Sequence, residues 1–239
     1  MKWNQTSERD RIMVALDCSA DEAIVLGEKL AGHARWVKIG MTLYYAVGPA
    51  IVRDFHKLGF KVFVDLKLHD IPHQVQGAAA SVAAAGADLL TVHACGGQAM
   101  MQAAVKGAAR AAREMDQNPP LICGITVLTS MDDETLESVG IGCPAIEQVT
   151  RLATLAKDSG LSGIVCSPQE AQAMRELLGP DAAIVTPGVR PAGAQLGDQS
   201  RVATPAAAFG AGASHLVIGR PITQASDPVT AFESIVEGL

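Results

Sequence analysis

The sequence lacks the features that mark a secreted, membrane-bound or nucleic-acid-binding protein. Aromatic residues make up only 4% of the 239 residues, and no segment has the eighteen uninterrupted apolar residues typical of a transmembrane helix. The first residues are polar and charged, without the apolar stretch of a signal peptide. A net charge of −6 gives no electrostatic support for a nucleic acid or an anionic membrane as partner. We therefore expect a soluble protein that is not exported.

Three common signatures of catalysis or cofactor binding are also missing. The sequence has no Cys/His cluster with zinc spacing, no G-x-G-x-x-G that opens a helix and no G-x-S-x-G elbow. The cysteines are odd in number, contain no C-x-x-C pair and lie mostly in apolar runs, which indicates reduced, buried thiols of a cytoplasmic protein. They are Cys18, Cys95, Cys123, Cys143 and Cys166.

The composition suits one large domain. Hydrophobic residues make up 49% and charged residues 18%, so the chain can bury a sizeable core, and nothing resembling a linker interrupts it. We expect a single domain over residues 1–239, with residues 1–10 as an N-terminal extension.

Eight short apolar runs alternate with longer helical patterns. The predicted strands are Ile12–Leu16, Trp36–Ile39, Val62–Leu66, Leu89–His93, Leu121–Val127, Gly163–Cys166, Ala183–Thr186 and His215–Ile218. Predicted helix starts are the capping boxes Ser19–Glu22 and Ser167–Glu170 and the cap-then-proline pairs Thr204-Pro205 and Asp227-Pro228. This alternation is typical of a (β/α)₈ barrel, although a doubly wound open sheet has the same local pattern.

The positions of unusual residues favour the barrel. They fall at or just after the ends of seven of the eight strands, and a closed barrel can converge many strand ends on one mouth, whereas an open sheet gathers its site at one switch point. The residues are Asp17, Lys38, Asp65 with Lys67, His93, Thr129, Thr186 and Gly219.

The segment Asp65–Pro72 is the most informative part of the chain. Asp65 and Lys67 share one face of the third strand, and Asp70 follows on the loop that leads to the next helix. Buried charges need partners, so this series predicts a self-neutralising charged site, with a structural ion pair as the alternative. Lys38, inside a predicted buried strand, also needs a carboxylate, and Asp65 on the adjacent strand is the natural partner.

Other strand ends carry weaker signals. Asp17 could bind a ligand or cap a turn, and Thr129 with Ser130 could meet the amide edge of a heterocycle or form a turn. A histidine such as His93 is more often a satisfied core residue than a catalyst, and we assign it no catalytic role.

A phosphate site is predicted after strand eight. Gly219 lets backbone amides approach a ligand, and Arg220 offers a forked donor. The later helix start at Asp227-Pro228 implies a short extra helix between strand eight and Asp227. A packing glycine beside a surface arginine is the alternative. The long loop from Thr186 to Arg201 has the length of a lid.

Seven motifs together closely resemble the bacterial form of the orotidine 5′-phosphate decarboxylase family. They are ALD at Ala15–Asp17, VKIG at Val37–Gly40, DLKLHDIP at Asp65–Pro72, VLTS at Val127–Ser130, TPGVRP at Thr186–Pro191, GDQ at Gly197–Gln199 and IGRPIT at Ile218–Thr223. The resemblance runs from about residue 11 to the C-terminus. It implies decarboxylation of orotidine 5′-monophosphate to uridine 5′-monophosphate in pyrimidine biosynthesis, without a metal or organic cofactor.

The resemblance also implies roles for individual residues. Lys38, Asp65, Lys67 and Asp70 match the catalytic charged array, and Asp70 and Ile71 match the part that reaches into the neighbouring subunit of a homodimer. The implied substrate contacts are Asp17 for the ribose, Thr129 and Ser130 for the pyrimidine, Gln199 in the lid, which links base and phosphate, and Arg190, Gly219 and Arg220 for the phosphate. Lys38, Ile71 and Pro187 are further implied substrate-binding residues. Lys67 is the implied stabiliser of the C6 carbanion and its proton donor.

Two other functions remain open. Some sugar-phosphate barrel enzymes share D-x-K-x-x-D but use Mg²⁺, and a non-catalytic phosphate-binding barrel could act as a sensor. LHDIP and GDQ argue against the first. The complete lysine and aspartate set argues against the second, because binding alone needs no proton donor.

Overall fold

Eight parallel strands form a closed barrel in the computed structural model, which describes residues 3–190 and 203–239. The strands pair in sequence order, and β1 closes the barrel against β8. Their bounds are β1 Ile12–Ala15, β2 Trp36–Gly40, β3 Lys61–Leu68, β4 Leu89–His93, β5 Leu121–Ile125, β6 Gly163–Val165, β7 Ala183–Thr186 and β8 His215–Ile218. The predicted barrel is confirmed and the open sheet is excluded.

Eleven α-helices surround the strands in the described ranges. They are α1 Ala20–Leu30, α2 Met41–Val47, α3 Ala50–Lys57, α4 Pro72–Ala84, α5 Gln98–Glu114, α6 Asp133–Ser138, α7 Ala145–Asp158, α8 Ala171–Leu178, α9 Pro205–Gly210, α10 Arg220–Thr223 and α11 Pro228–Glu237. The pattern predicted one helix per strand and an extra one after β8, whereas β2 and β5 are also followed by two. Gly48, with a φ of 75°, and Pro49 end α2, because neither residue continues a helix there.

Most predicted helix starts are confirmed. Ser19 and Glu22 form a complete capping box. The side chains of Thr204 and Asp227 accept hydrogen bonds from backbone amides in the first turn of α9 and α11, after Pro205 and Pro228. The box predicted at Ser167–Glu170 forms only in part: the Glu170 carboxylate accepts a hydrogen bond from the Ser167 backbone amide at 2.8 Å, but α8 begins at Ala171. The Ser167 hydroxyl donates to the Glu170 carboxylate, while the Glu170 amide donates to the Ser167 carbonyl, so these residues form a turn.

The core has two layers. Apolar side chains that point inward fill the barrel, and a larger set packs between strands and helices. The inward set includes Met13, Phe63, Leu89, Cys123 and Val185. Because every strand is covered on both faces, most strand residues are apolar, as the continuous apolar runs predict.

Trp3 closes the amino-terminal end of the barrel. Its ring lies edge-on to His215, with centroids 4.7 Å apart, and Trp36 contacts the same imidazole at 5.5 Å. The Trp3 indole also donates to the carbonyl of Asp181 at 3.0 Å. Burial, together with the charges of Arg11 and Lys61, lowers the pKa of His215 to about 3. His215 is therefore a neutral core residue.

The five cysteines differ in their exposure to solvent. All five cysteines are free; Cys123 and Cys166 are buried as expected, but Cys95 is exposed because it follows the end of β4. Among the helices in the described ranges, none combines the length and the apolar character needed to cross a bilayer.

Candidate active site

A cavity of about 580 Å³ opens at the carboxyl ends of the strands. Ten of the predicted site residues line it: Asp17, Lys38, Asp65, Lys67, Thr129, Ser130, Pro187, Arg190, Gly219 and Arg220. They come from loops and strand ends far apart in the sequence. The barrel therefore gathers them at one mouth, as the spacing of strand-end residues predicts.

Asp65 is the centre of the charged array. Its Oδ2 accepts a hydrogen bond from Lys67 Nζ at 2.9 Å and lies 3.7 Å from Lys38 Nζ. Oδ1 accepts from the hydroxyl of Thr91 at 2.8 Å. Burial by itself raises the pKa of this carboxyl, but the two ammonium groups and the hydrogen bonds outweigh it and leave the pKa below its usual range. Asp65 is therefore a buried, ionised carboxylate.

Lys67 owes its position to an irregularity in β3. The pairing between β3 and β4 shifts register between Val64 and Leu68, and Lys67 has a φ of +50°. This left-handed conformation is costly for a residue with a Cβ. The predicted strand ended at Leu66, whereas the observed strand continues to Leu68 and contains both Asp65 and Lys67.

Lys38 joins Asp65 to the rim of the barrel. Its ammonium is almost fully buried and donates to Oδ1 of Asp17 at 3.0 Å, while the Asp17 side chain is 66% exposed. Gly40 leaves room for this pair, because a Cβ there would lie 3.1 Å from both Asp17 Oδ1 and Lys38 Nζ. Asp17, Lys38, Asp65 and Lys67 thus form one continuous series of alternating charges.

The lining of the cavity combines polar groups with apolar side chains. Thr129 is buried and Ser130 is exposed, in the turn after β5, which ends at Ile125 instead of the predicted Val127. Five further residues supply apolar surface: Phe63, Ile125, Val127, Val165 and Val217. A flat ring with polar edges would suit this combination of lining residues.

Two arginines and a glycine also line the cavity. Gly219 precedes the four-residue helix α10, so the extra helix predicted after β8 is present. A Cβ at Gly219 would lie 3.3 Å from the Cβ of Ala15, so even alanine would crowd strand β1. Arg190, Arg220 and Pro187 line the cavity as well. Gln199, in the predicted lid, lies outside the described residues.

Asp70 and Ile71 do not line the cavity of their own chain. Both residues are exposed between β3 and α4, and the Ile71 side chain is 63% exposed. The Ile71 amide donates to the Asp70 carboxylate at 2.6 Å, which holds that carboxylate at the start of the loop.

Thr91 is a site residue that the sequence did not reveal. It is fully buried on β4 and contacts both Asp65 and Lys67. A lone threonine in an apolar strand carries no special signal, because threonine is a common strand residue.

His93 lies two residues further along β4, and the centroid of its ring is 5.4 Å from that of His69. Burial, together with nearby positive charge, lowers the pKa of His93. Over the described part of the chain, no three His, Cys, Asp or Glu residues are grouped to hold a metal ion.

A closed eight-stranded barrel with a charged cavity at the carboxyl ends of its strands is the architecture of a (β/α)₈-barrel enzyme. The family model described as orotidine 5′-phosphate decarboxylase / HUMPS matches residues 10–235, and the chain belongs to this family.

Named relatives and a solved structure agree with this assignment. The orotidine 5′-phosphate decarboxylase of Moorella thermoacetica is 50% identical over 95% of this chain and 91% of its own length. That of Paramagnetospirillum magneticum is 49% identical over 92% of this chain and 94% of its own length. The crystal structure of the Lactobacillus acidophilus enzyme has 38% identity and a TM-score of 0.84, and covers 95% of this chain and 98% of the other.

Proposed function

We propose that the protein decarboxylates orotidine 5′-monophosphate to uridine 5′-monophosphate, the last step of de novo pyrimidine nucleotide synthesis. The observation that carries the proposal is the series Asp17, Lys38, Asp65 and Lys67, with alternating charges around the buried Asp65, in a cavity that Arg190 and Arg220 also line. The charged series can thus perform chemistry on a ring while the arginines bind a phosphate dianion.

Lys67 is the proposed catalyst. When the bond from C6 of the pyrimidine to the carboxylate breaks, carbon dioxide leaves and the electron pair stays at C6. An adjacent ammonium group stabilises this charge and then transfers a proton to C6, and Lys67 is reprotonated from solvent. Asp65, 2.9 Å from Lys67 Nζ, holds the ammonium in place and favours its charged form. Lys38 shares that carboxylate from the other side.

The remaining site residues bind the substrate. Asp17 and Lys38 hold the ribose hydroxyls, and Thr129 and Ser130 meet the polar edge of the pyrimidine. Phosphate is held by Arg220, Arg190 and the backbone beside Gly219, with Pro187 nearby and Gln199 as a link from the lid. Binding energy at the phosphate offsets the cost of placing the scissile carboxylate next to a charged array.

The proposed active enzyme is a homodimer with shared sites. Asp70 and Ile71 are exposed beyond the strand that carries Lys67, which suits them to enter the partner's cavity. An isologous dimer would then complete both sites at once. In this arrangement Asp70 lies near the departing carboxylate, where a like charge destabilises the bound substrate.

A cytoplasmic location is also proposed. All five cysteines are unpaired, which suits a reducing compartment. Cys95, the exposed one, would be open to oxidation elsewhere.

The test is the loss of orotate-type ultraviolet absorbance when the purified protein is mixed with orotidine 5′-monophosphate. We expect the same rate after exhaustive treatment with EDTA, because the lysines supply the cationic charge. Activity that is lost with EDTA and restored by Mg²⁺ would contradict the proposal and favour a metal-dependent relative. Binding of uridine 5′-monophosphate without turnover would favour a phosphate sensor.

A further inference from the structure

Thr91 links the two central residues of the charged array through one hydroxyl. Its Oγ1 donates to Asp65 Oδ1 at 2.8 Å and accepts a hydrogen bond from the backbone N–H of Lys67 at 3.0 Å. The hydroxyl has one proton, so the proton goes to the carboxylate and a lone pair receives the amide. Thr91 is completely buried, so water cannot easily replace either bond.

The second of these bonds falls at the most strained residue of the site. Lys67 has a φ of +50°, and it lies inside the register shift between Val64 and Leu68, where regular pairing with β4 is interrupted. The Thr91 hydroxyl thus receives an amide that ladder pairing does not satisfy. A backbone held in a rare conformation persists only where its surroundings fix it.

The first bond sets the orientation of the Asp65 carboxylate. Oδ1 is held by Thr91, so Oδ2 is the oxygen turned towards the ammonium groups of Lys67 and Lys38. Without the hydroxyl, the carboxylate could rotate about its χ2 angle, and the lysines would lose a fixed partner. One side chain on β4 therefore controls both the backbone and the counter-ion of Lys67.

We propose that Thr91 is a positioning residue for decarboxylation: its hydroxyl holds Lys67 and Asp65 in the geometry in which the ammonium can reach C6. This inference rests on the proposed role of Lys67. Thr91 does not line the cavity, so it acts through those two residues and not on the substrate.

The test compares Thr91→Val, which keeps the shape and removes the hydroxyl, with Thr91→Ser, which keeps the hydroxyl. We expect Thr91→Val to lower kcat by about 10- to 100-fold, because a small misplacement of a catalytic group has an effect of this order. The KM and the affinity for uridine 5′-monophosphate should stay within about threefold of wild type, since phosphate and ribose contacts are intact. Thr91→Ser should retain kcat within about threefold.

A matched control is Thr126→Val. Thr126 is also a buried threonine; it directly follows β5, and its hydroxyl donates to the Val165 carbonyl at 2.8 Å and not to the charged array. This variant should keep its kcat. An equal loss of kcat in Thr126→Val and Thr91→Val would show a general effect of packing and overturn the inference.

Two further comparisons make the outcome decisive. If Thr91→Val retains kcat within about threefold while Lys67→Ala is inactive, the inference about Thr91 is wrong but the role of Lys67 stands. If Lys67→Ala is itself active, the proposed mechanism fails first. Should Thr91→Val not fold, Thr91→Ser and Thr91→Ala differ by a single hydroxyl, and equal kcat values for that pair would overturn the inference.

Discussion

Lys67 Nζ lies 2.9 Å from Asp65 Oδ2, and this pair is held inside the mouth of the barrel, with Asp65 almost fully buried. Lys38 and Asp17 extend the pair, so two carboxylates and two ammonium groups balance within one chain. A carboxylate from a second subunit would tip this balance towards negative charge. The carboxylate that the substrate loses would lie next to this excess negative charge and would be repelled by it.

Lys67→Ala should abolish turnover in a protein that still folds. The change removes the proposed proton donor from a partly exposed strand end and leaves no large cavity. We expect kcat to fall by at least about a thousandfold, as for the loss of a general acid that also stabilises charge. The matched control is Lys57→Ala, which changes a lysine that is 75% exposed and pairs with Asp54 across one helical turn. A Lys67→Ala rate within about tenfold of wild type, about 1.4 kcal/mol in barrier, would contradict the mechanism.

Lys67→Gly should be more stable than Lys67→Ala. Both variants lack the ammonium group, but only glycine adopts a φ of +50° without steric cost. We expect the free energy of unfolding to be higher in the glycine variant by roughly 1 kcal/mol, after allowance for its more flexible unfolded chain. Urea unfolding curves of the two variants measure the difference. Higher stability in the alanine variant would show that position 67 is not strained.

Arg220→Ala should act mainly through the phosphate of the substrate. Arg220 lines the cavity, its guanidinium is suited to a phosphate dianion, and we expect kcat/KM to fall by about 10- to 100-fold. With the phosphate-free nucleoside as substrate, the same change should have little effect. Arg110→Ala, on the exposed face of α5, is the control for loss of a positive charge. Equal losses with both substrates would mean that Arg220 has another role.

Mixed dimers test whether Asp70 acts across the subunit interface. Homodimers of Lys67→Ala and of Asp70→Ala should each be nearly inactive, whereas a subunit-exchanged mixture should recover activity. About half of the dimers are then mixed and one of their two sites is intact, so activity should approach roughly a quarter of wild type. Mass-tagged subunits report the exchange. Activity that stays at the parental level after complete exchange would rule out shared sites.

The buried His215 should make stability depend on pH. Its pKa of about 3 in the folded protein lies below the ordinary value of 6.5, so the unfolded chain binds the proton first as the pH falls. The stabilisation is complete above pH 6.5 and is lost progressively towards pH 3. Between pH 7 and pH 5 the loss amounts to about 2 kcal/mol.

The matching variant is His215→Phe, which keeps a ring between Trp3 and Trp36 but cannot titrate. Urea unfolding at the two pH values should show a smaller pH dependence in this variant; His93, whose pKa is also lowered, leaves a residual slope of the same sign. His73→Gln, at an exposed position, should behave like wild type. An unchanged slope in His215→Phe would show that the imidazole is not the source.

The sequence predicted the barrel well because its signals are local. Apolar runs bounded by Gly, Pro and capping residues mark the strands, and Gly48-Pro49 could also have revealed the division between α2 and α3. The register shift in β3 was not predictable, since it depends on pairing with β4. Thr91 was missed for a related reason: its two partners lie 24 and 26 residues away, on another strand.

Trp3 is a second residue whose contacts could not be predicted from local sequence. It lies within residues 1–10, which were expected to form an N-terminal extension. Its hydrogen-bond partner, Asp181, is 178 residues away. Local patterns contain no information on a contact of that length, and the polar residues around Trp3 gave no sign that the indole would be buried.

Trp3, at the amino-terminal end of the barrel, also limits where the products can leave the enzyme. Trp3, Trp36 and His215 pack together beneath the inward-facing apolar layer, so the residues that the structure describes close this end of the barrel. Carbon dioxide must therefore leave through the same mouth by which the nucleotide enters. Carbon dioxide and the nucleotide product therefore share one route of release, past Arg190 and Arg220 in the lining of the cavity.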